Sequence, residues 1–410
     1  MRWLTLLLSL LGALPSQAAP ERGTILLWHS YRAVERRALE EAVRQWNAGA
    51  RGRDPEIKLQ AVPYDAFPDK ITAAIPRGHG PDLFVYPGHD RVGDWAESKI
   101  IEPIEFWMTE KHADKFLFKA IDALCYGDSL YGLPMAFKST ALYYNKALIA
   151  RPPRSTDELI ALGRKHTDRA RGRFGLVYDN NKLYFHAPWL FGFGGGIFDG
   201  KGKLIVNSAA AVKALAFARQ LGGPGGIVAP EPSTTLTTTL FNQGKAAMAI
   251  SGPWMLGEID TRRVQVGVAP LPKVSATGRY ASPFLGAEAI MMSARCKQKD
   301  AAFRAMRFLT SDGVAIQRAL NARQPVANHA AWKDPRVRKD PVLAAFRRQL
   351  DTATVMPGTP QMRLVWSPYD MALQKVMSGR ATPARALAEA EREIRRYLAA
   401  MSKTRRGARR

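Results

Sequence analysis

The sequence is short of the groups that do chemistry. Two cysteines in 410 residues, Cys125 and Cys296, are too few for a disulfide scaffold or a four-cysteine zinc site. Neither a His-Glu-x-x-His nor a Gly-x-Ser-x-Gly motif occurs. The seven histidines, at 29, 79, 89, 112, 166, 186 and 329, do not gather on any helix face. Hydrolytic metal and serine chemistry therefore have no sequence basis, and no cofactor is expected. Gly195 to Lys201 has the spacing of a phosphate loop, but Gly202 stands where a Ser or Thr would hold magnesium, and no strand precedes it. No stretch reaches the roughly 18 uninterrupted apolar residues of a membrane span. Low-complexity tracts are missing too, and 46% hydrophobic content is enough for a sizeable core, which excludes disorder as the main state.

Acid is the scarce charge: 36 Asp and Glu stand against 60 Lys and Arg, a net +24. The bases are dispersed, except from Lys403 to Arg410, where five of eight residues are cationic. That end, residues 401–410, reads as a solvated, disordered tail. Nothing matches a module that reads RNA or DNA, so nucleic acid is not an expected partner.

The first residues point to export. Arg2 precedes an almost wholly apolar run from Trp3 to Leu14, and Pro15-Ser-Gln-Ala18 follows. This is a signal peptide over residues 1–18, with small residues at the −3 and −1 positions of a cut after Ala18. The apolar run is too short to cross a bilayer at about 1.5 Å per residue. A periplasmic setting is expected, where Cys125 and Cys296 could pair or remain free thiols.

Hydrophobic patterning alternates between strand and helix. Strands are predicted over Thr24–Trp28, Ile57–Val62 and Pro81–Tyr86, with helices over Val34–Asn47 and Phe67–Ile75 between them. That alternation implies parallel strands and an α/β lobe, with ligands beyond the carboxyl ends of the strands. Three segments then face a cleft: 29–32, 63–65 and 87–91. Further on, Phe174–Tyr178, Ala246–Ile250 and Val266–Pro270 read as strands, and Tyr184–Phe191 and Leu236–Asn242 as helices. The chain beyond Ala301 is mostly helical. Thr382-Pro383 starts a final helix with Leu387, Ala390, Ile394 and Leu398 on one face.

Aromatic side chains cluster at element ends, among them Tyr31, Tyr64, Tyr86, Tyr184, Trp254, Trp366 and Tyr369. Beside donors and acceptors such as Asp90 and Arg91, such rings suit sugars, whose C–H faces stack while their hydroxyls need directional partners. A glycosidase would need two acids about 5–10 Å apart, and nothing in the spacing of Asp65, Asp90, Asp179 and Glu288 specifies that.

Five segments carry a family resemblance: GPDLFVYPGHDRVGDWAES (80–98), YGLPMAFKSTALYYNKALI (131–149), FNQGKAAMAISGPW (241–254), MPGTPQM (356–362) and SGRATPARAL (378–387). In that order they resemble the periplasmic sugar-binding proteins of ABC importers, of the maltose/maltodextrin-binding type. The resemblance covers about Gly23 to Leu398. It implies a two-lobed α/β periplasmic binding protein of the type II, Venus-flytrap kind, with three hinge crossings near Phe137–Thr140, Leu285–Glu288 and Val326–Lys333. One lobe would comprise residues 19–136 and 289–327, the other 141–284 and 334–400. The resemblance further implies a non-catalytic monomer that closes on a carbohydrate and delivers it to permease subunits in the inner membrane. By the same resemblance Asp90 and Arg91 contact hydroxyls, Tyr184, Trp254 and Trp366 stack on sugar rings, and Ser30, Tyr31 and Arg32 line the first lobe. Tyr64, Tyr86, Glu288 and Tyr369 complete the expected ligand contacts.

The departures concern charge. Lys138 and Lys182 stand where the family has acids, and Arg32-Ala33 replace an aspartate-lysine pair. Leu256 takes the place of a second tryptophan. Lys138 is therefore expected as a charge-selective contact, and an anionic solute such as a uronate oligosaccharide or a glycerophosphodiester is an open alternative to a neutral oligosaccharide.

Overall fold

The computed structural model describes residues 23–50, 53–231 and 233–408. The expected signal peptide lies outside the described residues. The strands of the two main sheets are β1 (Thr24–His29), β2 (Glu56–Ala61), β3 (Leu83–Tyr86), β4 (Leu133–Lys138), β5 (Ala141–Asn145), β6 (Phe174–Val177), β7 (Ala246–Ser251), β8 (Val266–Ala269), β9 (Phe284–Met292) and β10 (Thr354–Val355). They form two main sheets. One runs β10-β9-β3-β1-β2, with β4 also paired to β9; the other runs β8-β5-β7-β6. β1 lies parallel to both β2 and β3, as the alternating pattern predicts. The connecting helix α1 (Ala33–Ala50) buries Leu39, Ala42, Val43 and Trp46, a stripe at helical spacing.

Each sheet is the centre of its own lobe. β4 ends at Lys138 in the first sheet and β5 begins at Ala141 in the second. The return is abrupt: Phe284 packs in a core of the second lobe, while Leu285 belongs to the core of the first. Residues 285–288, read from sequence as a crossing, lie in the first half of a continuous strand, β9, which passes from one lobe's core to the other's at Phe284–Leu285 and which the sequence pattern does not announce. A bulge between Glu288 and Ala289 interrupts its pairing with β4 and re-aims Glu288.

At this junction the first lobe holds a buried ion network. Lys138 Nζ lies 2.5 Å from Glu35 Oε1 and 3.0 Å from Glu288 Oε2. Arg318, on α2 (Asp312–Ala322), lies 3.0 Å from Glu288 Oε1 and donates to the Tyr31 hydroxyl at 2.7 Å. Tyr31 in turn donates to Glu288. Gln324 closes the circuit, accepting from Arg318 Nε at 2.8 Å and donating to Glu35 at 3.0 Å. Two cations meet two carboxylates, so the group is neutral overall. Burial alone would raise the Glu35 carboxyl, but Lys138 and Gln324 hold it below its ordinary value. Burial alone would lower the Lys138 amine, but Glu288 and Glu35 hold it above. The expectation that Tyr31, Lys138 and Glu288 contact ligand is corrected here. Each is buried and satisfied within the protein, because an unpaired charge at such depth would cost several kcal/mol.

A second joint is His89. Its Nδ1 accepts from Ala287 N at 2.9 Å, and its Nε2–H donates to the Met356 carbonyl. It ties the loop after β3 to β9 and to the segment that leads into the second lobe's helices. Burial pulls its pKa down to about 4, which fits the neutral tautomer these bonds require.

Along the C-terminal helix α3 (Pro383–Ala408), Leu387, Ala390 and Ile394 are buried on one face, as the pattern predicts. Over residues 401–408 the expectation of a disordered tail is corrected, since α3 continues through residue 408; residues 409 and 410 lie outside the described residues. Alanine, methionine, lysine and arginine favour helix, and no proline interrupts them.

Two predictions follow from these joints. Replacing Arg318 with Met leaves three charges where four cancelled, and should cost about 3–5 kcal/mol in urea unfolding; a loss under about 1 kcal/mol would refute a coupled network. Burial also depresses His29 and His186, to about 4 and about 3. With His89 they stay neutral while the unfolded chain takes up protons below pH about 6.5. Stability should therefore be level above that pH and decline as pH falls toward about 4, by up to about 1.4 kcal/mol per pH unit for each histidine. Calorimetric melting temperatures from pH 8 to about 4 read this directly, and a flat profile would contradict it.

Candidate functional site

Between the lobes, acid and base from the first face rings from the second. The loop after β3 presents Asp90 and Arg91 at the sheet's carboxyl end. Asp90 Oδ1 accepts from the Tyr86 hydroxyl at 3.5 Å, and the Trp366 indole faces its carboxylate across the cleft. Burial pushes the Asp90 carboxyl up, against the pull of Arg91, Trp366 and Tyr86. Arg91 sits 3.9 Å from both Asp90 and Asp94, and its Nε is buried without a hydrogen-bond partner among the described residues. Tyr86 itself is buried against Phe67 and Trp95, and acts from beneath Asp90. Tyr64 is the open element of this wall, with 59% of its surface exposed.

The second lobe supplies the aromatic wall. Tyr184 stands in the first turn of the helix Leu183–Gly192, Trp254 in the turn after β7, and Trp366 at the start of the helix Trp366–Met377. All three are half-buried. The Tyr184 ring lies 6.1 Å from Trp254 and 6.3 Å from Phe284, and Phe284 lies 5.8 Å from Trp366. Phe284 thus backs a continuous strip of rings. The Gly-Pro-Trp spelling has a steric reason: a Cβ on Gly252 would fall 2.0 Å from the Trp254 ring, which folds back over that glycine. Burial, then Tyr64 and Asp90, push the Tyr184 hydroxyl up, so the two walls face one another.

The remaining cations come matched. Arg32 pairs with Glu258 of the opposite lobe at 3.4 Å, and Lys182 pairs with Asp370 at 3.1 Å. Asp370 also accepts from Leu183 N at 2.7 Å, capping the helix that carries Tyr184. Arg363 reaches Asp94 across the cleft at 3.2 Å. Each base that departs from the family pattern therefore has a carboxylate of its own.

Tyr369 is a further correction. It is fully buried in the second lobe, its ring 5.8 Å from His186, rather than in the cleft. Tyr369, Ala372, Leu373 and Val376 share the spacing of a core-facing helix stripe, a signal present in the sequence. Ser30 is half-buried at the end of β1. Sequence reasoning missed Glu35, Arg318, Gln324, Glu258, Phe284 and Asp370. Only Arg318 left a trace, as a charge among Val314, Ala315, Ala319 and Ala322 on an apolar helix face. Cys125 and Cys296 are both free thiols, the first exposed and the second buried.

Comparison with known proteins agrees with this architecture. Residues 33–316 match the family model of the bacterial extracellular solute-binding proteins. The maltotriose-binding protein of Pyrococcus abyssi is 28% identical over 359 residues, 87% of this chain and 78% of that protein. The galactooligosaccharide-binding protein of Bacillus subtilis is 28% identical over 82% of each chain. Among solved structures, the maltose/maltodextrin-binding domain from Bdellovibrio bacteriovorus bound to maltotriose superposes with a TM-score of 0.83 at 27% identity, covering 92% of this chain and all of that one. The maltotriose-binding protein of Thermus thermophilus, also bound to maltotriose, gives 0.83 at 27% identity over 91% of this chain and all of that one. With its two-sheet fold, its cleft and a match over more than half of its length, the chain belongs to the bacterial extracellular solute-binding protein family.

Proposed function

We propose that this protein binds a neutral oligosaccharide between its lobes and hands it, chemically unchanged, to the permease of an ABC importer. The observation that carries the reading is the strip Tyr184–Trp254–Trp366 facing Asp90, Arg91 and Tyr64. Rings take the apolar faces of pyranoses, and the buried carboxylate and guanidinium take hydroxyls. Relatives that bind maltotriose and galactooligosaccharides support the ligand class. Charge then selects within it. Arg32, Lys138 and Lys182 are spent on Glu258, Glu35, Glu288 and Asp370, so the cleft keeps little uncompensated cation for a uronate or a phosphodiester. Catalysis is not part of the reading, because Glu288 is locked in its network and Asp90 is held by Arg91, Tyr86 and Trp366. Export to the periplasm, work as a monomer and docking on inner-membrane permease subunits complete it.

The mechanism is a population shift. A ligand that touches both walls stabilises the closed arrangement by the contacts it gains only there. The protein's own cross-cleft pairs, Arg32–Glu258 and Asp94–Arg363, favour the same arrangement.

Titration calorimetry against maltotriose, trehalose, a uronate trisaccharide and a glycerophosphodiester tests the ligand class. Binding of the neutral sugars is expected, and preference for either anion would overturn the reading. Trp254→Ala should weaken the bound sugar by about 1–3 kcal/mol, and an unchanged affinity would remove Trp254 from the site. Arg32→Ala removes an exposed pair worth about 0–1 kcal/mol. It should lower sugar affinity no more than about fivefold and flatten its dependence on salt between about 0.02 and 0.5 M. Identical salt curves for the variant and the parent would eliminate the cross-lobe latch.

A further inference from the structure

Three guanidinium groups meet in the second lobe at a place lined by none of the cleft residues. Arg219, in the last turn of the helix Ala209–Gly222, Arg380, just beyond the helix Trp366–Met377, and Arg385, in the first turn of α3, line one surface hollow of about 400 Å³. Arg219 is laid over two glycines. A Cβ on Gly223 would approach its Nη1 to 3.1 Å, and one on Gly379 its Nη2 to 3.3 Å, so small residues leave room for the guanidinium. Nη1 is anchored on the Met377 carbonyl, while Nη2 has no acceptor among the described residues. Arg380 spends only Nε, on Ser378 Oγ at 2.8 Å, and has no carboxylate partner among the described residues. Arg385 pairs with Glu389 at 3.0 Å, but Lys375 draws on the same carboxylate at 2.7 Å. Arg385 and the neighbouring Lys375 thus divide one carboxylate, and Arg219 and Arg380 bond none among the described residues, a formal excess of three positive charges.

Like charges gathered in one hollow repel, and the contrast with the cleft, where each departing base has its own acid, is direct. Guanidinium forks with free N–H groups match the oxygens of a tetrahedral oxyanion better than they match a point ion. The amino end of α3 opens into the same hollow at Thr382 and adds potential of the same sign. We propose that the Arg219–Arg380–Arg385 hollow is a second binding site, separate from the sugar cleft, that takes a phosphate group. That group is carried either by a small soluble phosphate or by the headgroup of an anionic phospholipid.

The test uses the intact protein and inorganic phosphate in titration calorimetry, with chloride held constant. Arg380→Gln/Arg385→Gln removes two exposed members and spares Arg219, which is tied to the helix packing. Lys201→Gln/Lys213→Gln removes the same charge elsewhere. Saturable phosphate binding is expected in the parent and in the lysine control, weakened at least about tenfold in the arginine variant. Maltotriose affinity should be equal in all three. Absence of saturable phosphate binding, or equal weakening in both variants, overturns the site, whatever the sugar titration gives. Co-sedimentation with phosphatidylglycerol and phosphatidylcholine vesicles assigns the source. Loss of phosphatidylglycerol binding in the arginine variant alone identifies the lipid headgroup. Phosphate binding with equal vesicle binding in all three identifies a soluble phosphate.

Discussion

A buried, charge-balanced circuit lies where the two lobes are joined, and much of the architecture answers to it. Lys138 closes β4, Glu288 sits at the bulge of β9, Tyr31 and Glu35 come from the end of β1 and the start of α1, and Arg318 arrives from a helix near the end of the first lobe. Removing two charges from water is expensive, and the cost is offset only when each finds its opposite at hydrogen-bond distance. Five separate elements must therefore arrive together before the junction can form. His89 adds a neutral joint in the same region, with its ring bonded on both sides.

That requirement explains how the chain can carry Lys138, Lys182 and Arg32 without leaving free charge in the cleft that the proposal assigns to neutral sugars. A lysine at position 138 brings Glu35 and Glu288 with it, Lys182 brings Asp370, and Arg32 brings Glu258 from the facing lobe. The substitutions turn inward or across the cleft and cancel. What remains open to a guest is ring surface and one buried acid-base pair. On the proposed reading, specificity rests on stacking and on hydroxyl geometry, while the protein's large positive charge is carried elsewhere on the surface.

Under the proposed mechanism, closure carries a bias in the same terms. Arg32–Glu258 and Asp94–Arg363 bridge the lobes through exposed guanidinium groups, hence weakly and with sensitivity to salt, while the ion network on the first lobe's side of the junction is buried.

Much was legible in advance. The alternation of short apolar runs with helical stripes fixed the parallel β2-β1-β3 core, because side-chain periodicity is a local property. The Gly-Pro-Trp turn and the aromatic residues at element ends likewise pointed to rings that the fold gathers into one strip, Tyr184, Trp254 and Trp366. What the chain could not announce were relations between distant positions. Residues 285–288 read as a crossing with no strand named, since a short run of small and apolar residues fits a crossing and a sheet equally. Tyr369 looked like a cleft residue until its helix was seen to turn it inward, and the expected solvated tail proved to be helix through residue 408. Above all, the sign of the cleft was undecided. Lys138 and Lys182 read as free charges in one dimension, and only folding set carboxylates from 103 and 188 positions away within reach of them. Periodicity and steric preference act between near neighbours and can be read from order alone, whereas electrostatic compensation depends on distance in space, which the tertiary structure alone decides.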